Sequence, residues 1–185
     1  MRGIWSLKSW TLVAAILATC CLLVALVQRS VGPRCRGKTL PSWLVLLQST
    51  NPVEREEAGA AVREIGTNAV PTLTAWLAHR DSAAEKKLTV WLAKVGLFSR
   101  DRFSENYYHS KALCGFRALG TNGQSAVPDL RRFLADPALA SDAAYAMAWV
   151  APSEAEKLAE AWIADNTNRS VKVRGLKLKA EIINR

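Results

Sequence analysis

One phrase occurs twice, and it limits what this chain can fold into. Residues 66–73 read GTNAVPTL and residues 120–130 read GTNGQSAVPDL. Ala58, Val62 and Ile65 precede the first, and Ala112, Phe116 and Leu119 precede the second. Leu73, Trp76 and Leu77 follow the first; Leu130, Phe133 and Leu134 follow the second. These spacings of three and four are helical. The unit is a helix, a Gly-containing turn and a Pro-opened helix. Such a hairpin cannot bury its apolar face alone, so it must stack on a copy of itself.

The turn residues have separable roles. Gly66 and Gly120 sit where the apolar period stops, which fits a left-handed helix end. Thr67-Asn68 and Thr121-Asn122 offer short polar caps for the next helix. Pro71 and Pro128 fall in that helix's first turn, where a missing N–H is harmless. Gly66 to Gly120 is 54 residues and Pro71 to Pro128 is 57, beyond the roughly 40–47 of this repeat class. An extra helix explains the excess: Ser82-Ala83-Ala84-Glu85 is a capping-box pattern, and Leu88, Trp91, Leu92 and Val95 continue a stripe to Gly96.

The net charge of +9 suggests a nucleic-acid partner until it is located along the chain. Residues 1–38 hold six Lys/Arg and no acid, and residues 168–185 hold six Lys/Arg and one acid, Glu181. The middle, 39–167, has 13 basic and 15 acidic residues, or −2. A phosphate-tracking groove in the repeat body is therefore disfavoured. Arg131-Arg132 and Lys86-Lys87 read as solvated helix faces.

Residues 10–27 contain no charged residue. As a helix they reach about 27 Å, enough for a membrane span. Trp5 and Trp10 precede the stretch as interfacial aromatics do. The expected organisation is an N-terminal tail (1–9), a transmembrane anchor (10–28), a basic linker (29–39) and a helical domain (40–185). Two rivals to an uncleaved anchor stay open, a cleaved signal peptide and a lipoprotein signal ending at Cys20. Arg2, Lys8 and the amino terminus face Arg29, Arg34, Arg36 and Lys38 across the span, which leans towards a cytoplasmic repeat domain and leaves the side open.

Further along, 41–48 reads as a short apolar helix closing one end of the stack. Asn51-Pro52-Val53-Glu54 starts the next with Asn as cap, Pro at the first position and Glu placed for a capping box. Residues 97–103 read as a loop, and a helix follows from Ser104 to Leu119. Asp136-Pro137 opens a third unit through Ala143, Ala146, Met147 and Val150, and Ser153 to Glu156 caps its partner. Val171, Leu178 and Ile182 continue a helical spacing in a final half-repeat, expected to turn a basic, solvated face outward.

The motifs AVREIGTNAVPTL (61–73) and GFRALGTNGQSAVPDL (115–130) resemble HEAT repeats of the bacterial type. A single N-terminal span, then Gly37-Lys38-Thr39-Leu40-Pro41-Ser42-Trp43-Leu44, then such units, is similar to a group of bacterial membrane-anchored HEAT-repeat proteins. The resemblance covers about residues 37–183. It implies an all-α fold, a short HEAT-like α-solenoid of antiparallel helix pairs behind one transmembrane helix, and a single-pass place in the bacterial inner membrane. It also implies a scaffold that binds a protein partner, since fold alone assigns no chemistry.

The residues themselves suggest no enzyme, cofactor or metal. His79 and His109 are the only histidines, and the four Cys form no C-x-x-C pair. The His-Glu pairs of HEAT-like diiron hydroxylases are missing. Cys114 reads as a small core residue, and Cys35 as a linker residue that could pair between chains outside the cytoplasm. Gly123-Gln124-Ser125 is half a nucleophile elbow in the wrong context, a helix–helix turn. Tyr107, Tyr108 and His109 read as packing beneath the 97–103 loop. The candidate residues are therefore structural, Gly66, Asn68, Pro71, Gly120, Asn122 and Pro128 in the repeat turns. Arg169, Lys172, Arg174, Lys177 and Lys179 stand beside them as possible contacts for an acidic ligand. The alternatives to a protein-binding scaffold are an enzyme of lyase or DNA-glycosylase type and a binder of acidic ligands through that C-terminal helix.

Overall fold

The computed structural model describes residues 32–94, 104–165 and 169–183. The chain divides after Gly32, and every element described below belongs to the unit beginning at Pro33. That unit is mostly helical. Among the described residues no helix is long and apolar enough to cross a membrane. The expected anchor at 10–28 and the expected loop at 97–103 lie outside them.

The stretch expected as linker contains a small ribbon. Strands β1 (Arg34–Cys35) and β2 (Lys38–Thr39) pair antiparallel, Arg34 opposite Thr39 and Cys35 opposite Lys38. Arg36 and Gly37 turn it with φ of 49° and 77°, the two left-handed residues that a tight hairpin of this twist needs. The ribbon belongs to the fold. Cys35 is buried, which replaces the linker reading of that thiol. Its carbonyl accepts a 3.0 Å bond from Trp43 Nε1–H. Trp43 is fully buried on α1 (Leu40–Leu46), so the ribbon closes over one end of the core.

Helix α2 (Pro52–Ile65) starts as its sequence predicts, with Asn51 Oδ1 accepting from the Val53 N–H at 3.0 Å and Pro at the first turn. Glu54 does not complete a capping box; it accepts from the Ser49 hydroxyl. Ala58, Ala61, Val62 and Ile65 form its buried stripe. A 3-10 turn, Gly66–Ala69, leads into α3 (Val70–Leu77). Helix α4 (Ala83–Lys94) carries the expected capping box in full: the Ser82 N–H donates to Glu85 at 2.7 Å and the Glu85 N–H donates to Ser82 Oγ at 3.1 Å.

The pattern then repeats. Helix α5 (Glu105–Leu119) is capped by Ser104, the 3-10 turn Gly120–Ala126 follows, and α6 (Val127–Leu134) comes next. Helix α7 (Ala140–Val150) is apolar nearly all round and is the most buried helix, as a central element should be. It starts three residues later than Pro137 suggests, because Asp136 first makes a turn, accepting from the Ala138 N–H at 3.0 Å. Helix α8 (Pro152–Ala164) begins at the proline itself and has no side-chain cap; the expected capping by Ser153 does not occur. Helix α9 (Arg169–Ile183) carries the expected final helical spacing.

Contacts run in succession: α1 on α2, α2 and α3 on α5, α5 on α7, α7 on α8, and α8 on α9. The two 3-10 turns also touch each other. Gly123, which lengthens the second, is buried where a Cβ would meet Val150 Cγ1 at 2.8 Å. At mid-helix, a Cβ on Gly115 would meet the methyls of Leu73 and Leu44. One continuous core results, from Leu40 to Leu178. Gathered this way, it buries the apolar area that sustains a fold of this size.

Candidate functional site

The turn glycines are required by backbone geometry. Gly66 has φ 60° and ψ −138°, and Gly120 has φ 56° and ψ −138°. The positive φ was expected, but ψ lies far from the left-handed helical well, where Asn is tolerated. Only glycine adopts this region without strain. A Cβ at either position would touch nothing within 4 Å, so the constraint comes from the backbone alone. The expected caps are absent. Asn68 and Asn122 are exposed, and neither α3 nor α6 has a side-chain cap. The 3-10 turn replaces capping by running straight into the helix, with Pro71 and Pro128 in its first turn.

A groove of about 340 Å³ lies between α5 and α7, lined among others by His109, Ser110, Cys114, Arg117, Asp142 and Trp149. His109, Ser110 and Cys114 in it bond neighbouring residues. His109 Nδ1 lies 3.0 Å from Asp142 Oδ2, and Nε2 lies 3.0 Å from the His79 carbonyl. This buried ring ties the end of α3 to α7 through α5. Gln48 Nε2 donates to Ser110 Oγ at 2.7 Å and to Cys114 Sγ at 3.2 Å, while its Oε1 accepts from Lys111 Nζ. Ser110 and Cys114 thus face an amide donor where a nucleophile would need a base. Lys111 is buried on α5, and burial pushes its ammonium below the ordinary lysine range.

Of the cluster expected to pack beneath the 97–103 loop, Tyr108 packs on Trp76 and His79, while that loop lies outside the described residues. Tyr108 meets Trp76 edge-on at 5.3 Å and stands 4.4 Å from the His79 ring. Burial pushes its phenol above the ordinary range. His79 Nε2 is 3.5 Å from Asp81 Oδ1, too long for a hydrogen bond, and among the described residues that buried oxygen has no hydrogen-bond partner. No group of three or more His, Cys, Asp or Glu among the described residues could hold a metal.

The four C-terminal cations whose side chains are described do not converge. All belong to α9, and the side chain of Arg169 lies outside the described set. At 3.6 residues per turn, Lys172 and Lys179 share one flank and Arg174 and Lys177 the other. Lys172, Lys177 and Lys179 are exposed and Arg174 is half-buried. Between the flanks runs an apolar stripe that sequence reasoning did not single out: Val173, Leu176, Ala180 and Ile183 are all exposed, Leu176 at 52% and Ile183 at 73%. The outer face expected to be basic and solvated is therefore apolar along its middle. The opposite face packs on α8 through Gly175 and Leu178.

The paired arginines are solvated but not idle. Arg131 binds Glu154 at 2.8 Å, joining α6 to α8, and Arg132 binds Asp129 at 2.9 Å within α6. Such exposed pairs add only about 0–1 kcal/mol. On α4, Trp91 is 58% exposed beside Lys87 and Lys94. No protein-family model matches the chain, and neither a curated protein nor a solved structure matches it.

Proposed function

We propose that this chain is a membrane-tethered scaffold, a short HEAT-like α-solenoid that binds another protein and carries out no chemistry of its own. The observation that carries this reading is the pair of matched turns. Two glycines 54 residues apart adopt the same glycine-only backbone geometry, each leads through a 3-10 turn into a Pro-opened helix, and the two turns touch. That is what stacked copies of one hairpin produce. The groove between α5 and α7 supports a structural role, because His109, Ser110 and Cys114 bond their neighbours. The uncharged stretch 10–28 supports a single-pass anchor in a bacterial inner membrane.

The test is alkaline extraction of membranes holding the tagged full chain, followed by crosslinking and capture. The expected result is a chain retained in the membrane pellet that brings down the same heterologous protein in each repetition. Release of the chain at alkaline pH would overturn the tether, and self-adducts alone would overturn the scaffold.

A further inference from the structure

We propose that the outer face of α9 docks an acidic amphipathic helix of a partner protein, which would lie on the stack as its next helix. This rests on the scaffold reading and names the surface and partner chemistry it uses. Helix α9 has two apolar stripes. The inner one, with Gly175 and Leu178, is buried on α8. The outer one, Val173, Leu176, Ala180 and Ile183, follows steps of three, four and three residues, the seam that one helix presents to another.

Charge selects the occupant. Lys172 and Lys179 border one side of the seam and Lys177 the other; the only acid in α9, Glu181, and Arg174 lie beyond Lys177, away from the seam. A helix laid along this seam sets its own flanking residues against those cations. Glutamates there would form interhelical pairs of the kind that fix partner choice in coiled coils. A second copy of the chain would bring lysines against lysines, which disfavours self-pairing. The seam spans about 80° of the helix at 3.6 residues per turn. A stripe this narrow is the a/d type that one helix presents to another, so a helix is the better fit.

The probe is a pair of synthetic helical peptides with leucines at spacings of three and four, one flanked by glutamates and one by lysines. Each is titrated against the full chain in lipid nanodiscs and read by fluorescence anisotropy. The glutamate peptide should bind, more weakly as salt rises, and the lysine peptide should not. Leu176→Asp should abolish binding. Lys172→Glu with Lys179→Glu should weaken the glutamate peptide about tenfold, as expected for two rim pairs, and admit the lysine peptide. Both changes leave the α8-facing side of α9 intact, and thermal melting of each variant checks this.

Equal binding of both peptides, binding untouched by Leu176→Asp, or a dimer of the chain that Leu176→Asp dissolves would each overturn the proposal. So would preferential binding of lipid-only anionic vesicles. A heterologous protein captured from membranes that still binds the Leu176→Asp chain would overturn this surface while leaving the scaffold reading in place.

Discussion

A Cβ placed on Gly175 would lie 2.9 Å from the backbone oxygen of Ala159. The same atom would meet the Ile163 backbone nitrogen and Trp162 Cβ at 2.9 Å. Backbone cannot step aside as a side-chain end can, so α9 and α8 touch this closely only because residue 175 is glycine. Gly175→Ala would gain about 1 kcal/mol of helix propensity. Overpacking should outweigh that gain, for a net loss of about 1–2 kcal/mol. Chemical denaturation should show the loss, and hydrogen exchange should show it concentrated in α9.

Gly66 and Gly120 should be intolerant for a different reason. Their ψ of −138° excludes the left-handed helical well. Replacing either by Ala should therefore cost about 1–3 kcal/mol, and replacement by Asn should be no milder. A denaturation series of the four single variants reads this directly.

Lys111 makes stability depend on alkaline pH. Burial lowers its folded-state pKa below the ordinary value. Between those two values the unfolded chain binds more protons than the folded chain, so this residue's contribution to stability rises with pH across that window. Lys111→Met removes the titrating group and leaves the exposed Gln48 amide to water. The stability difference between wild type and variant should move in favour of wild type as pH rises through the window. A difference that stays flat would count against a buried, charged Lys111.

Glu85 acts at the acid end, and its contribution to stability also rises with pH. The Ser82 N–H holds its carboxylate below the ordinary carboxylate range. The capping box therefore supports α4 above the ordinary carboxylate pKa, and that support disappears as pH falls through the lowered value. Protection of the α4 amides from exchange, relative to their intrinsic rates, should fall selectively in acid, and Glu85→Gln should blunt the change.

His109 bridges two acceptors, the Asp142 carboxylate and the His79 carbonyl. His109→Leu removes both contacts, at a cost of about 1–3 kcal/mol. In a double-mutant cycle with Asp142→Ala, the two losses should fall short of additive, because the partners share one bond.

The parts that were legible in the sequence were those written in local backbone chemistry. The stripes of α2 and α5, the prolines opening α3 and α6 and the Ser82–Glu85 box act within one or two turns of chain, so short-range spacing reveals them. The 34–39 ribbon was hidden because its turn is Arg36-Gly37, where Asn-Gly or Asp-Gly would have been the recognisable signal. The role of Cys35 went with it. The exposed seam of α9 was missed for another reason. Residues 171, 175, 178 and 182 and residues 173, 176, 180 and 183 are both good helical stripes, and only packing against α8 decides which is buried. Likewise, the engagement of His109 depends on Asp142 and His79, which lie more than two dozen residues away in sequence.

The most direct test of the scaffold account is site-specific photo-crosslinking of the full chain in intact membranes. The photoreactive residue is placed in turn at Leu176, at Val53 on α2 and at Trp91 on α4, all exposed apolar positions. The account predicts a discrete adduct with one heterologous protein from position 176, weakened when Lys172 and Lys179 are both changed to Glu, and no such adduct from position 53. Phospholipid adducts or self-adducts alone from all three positions would contradict it.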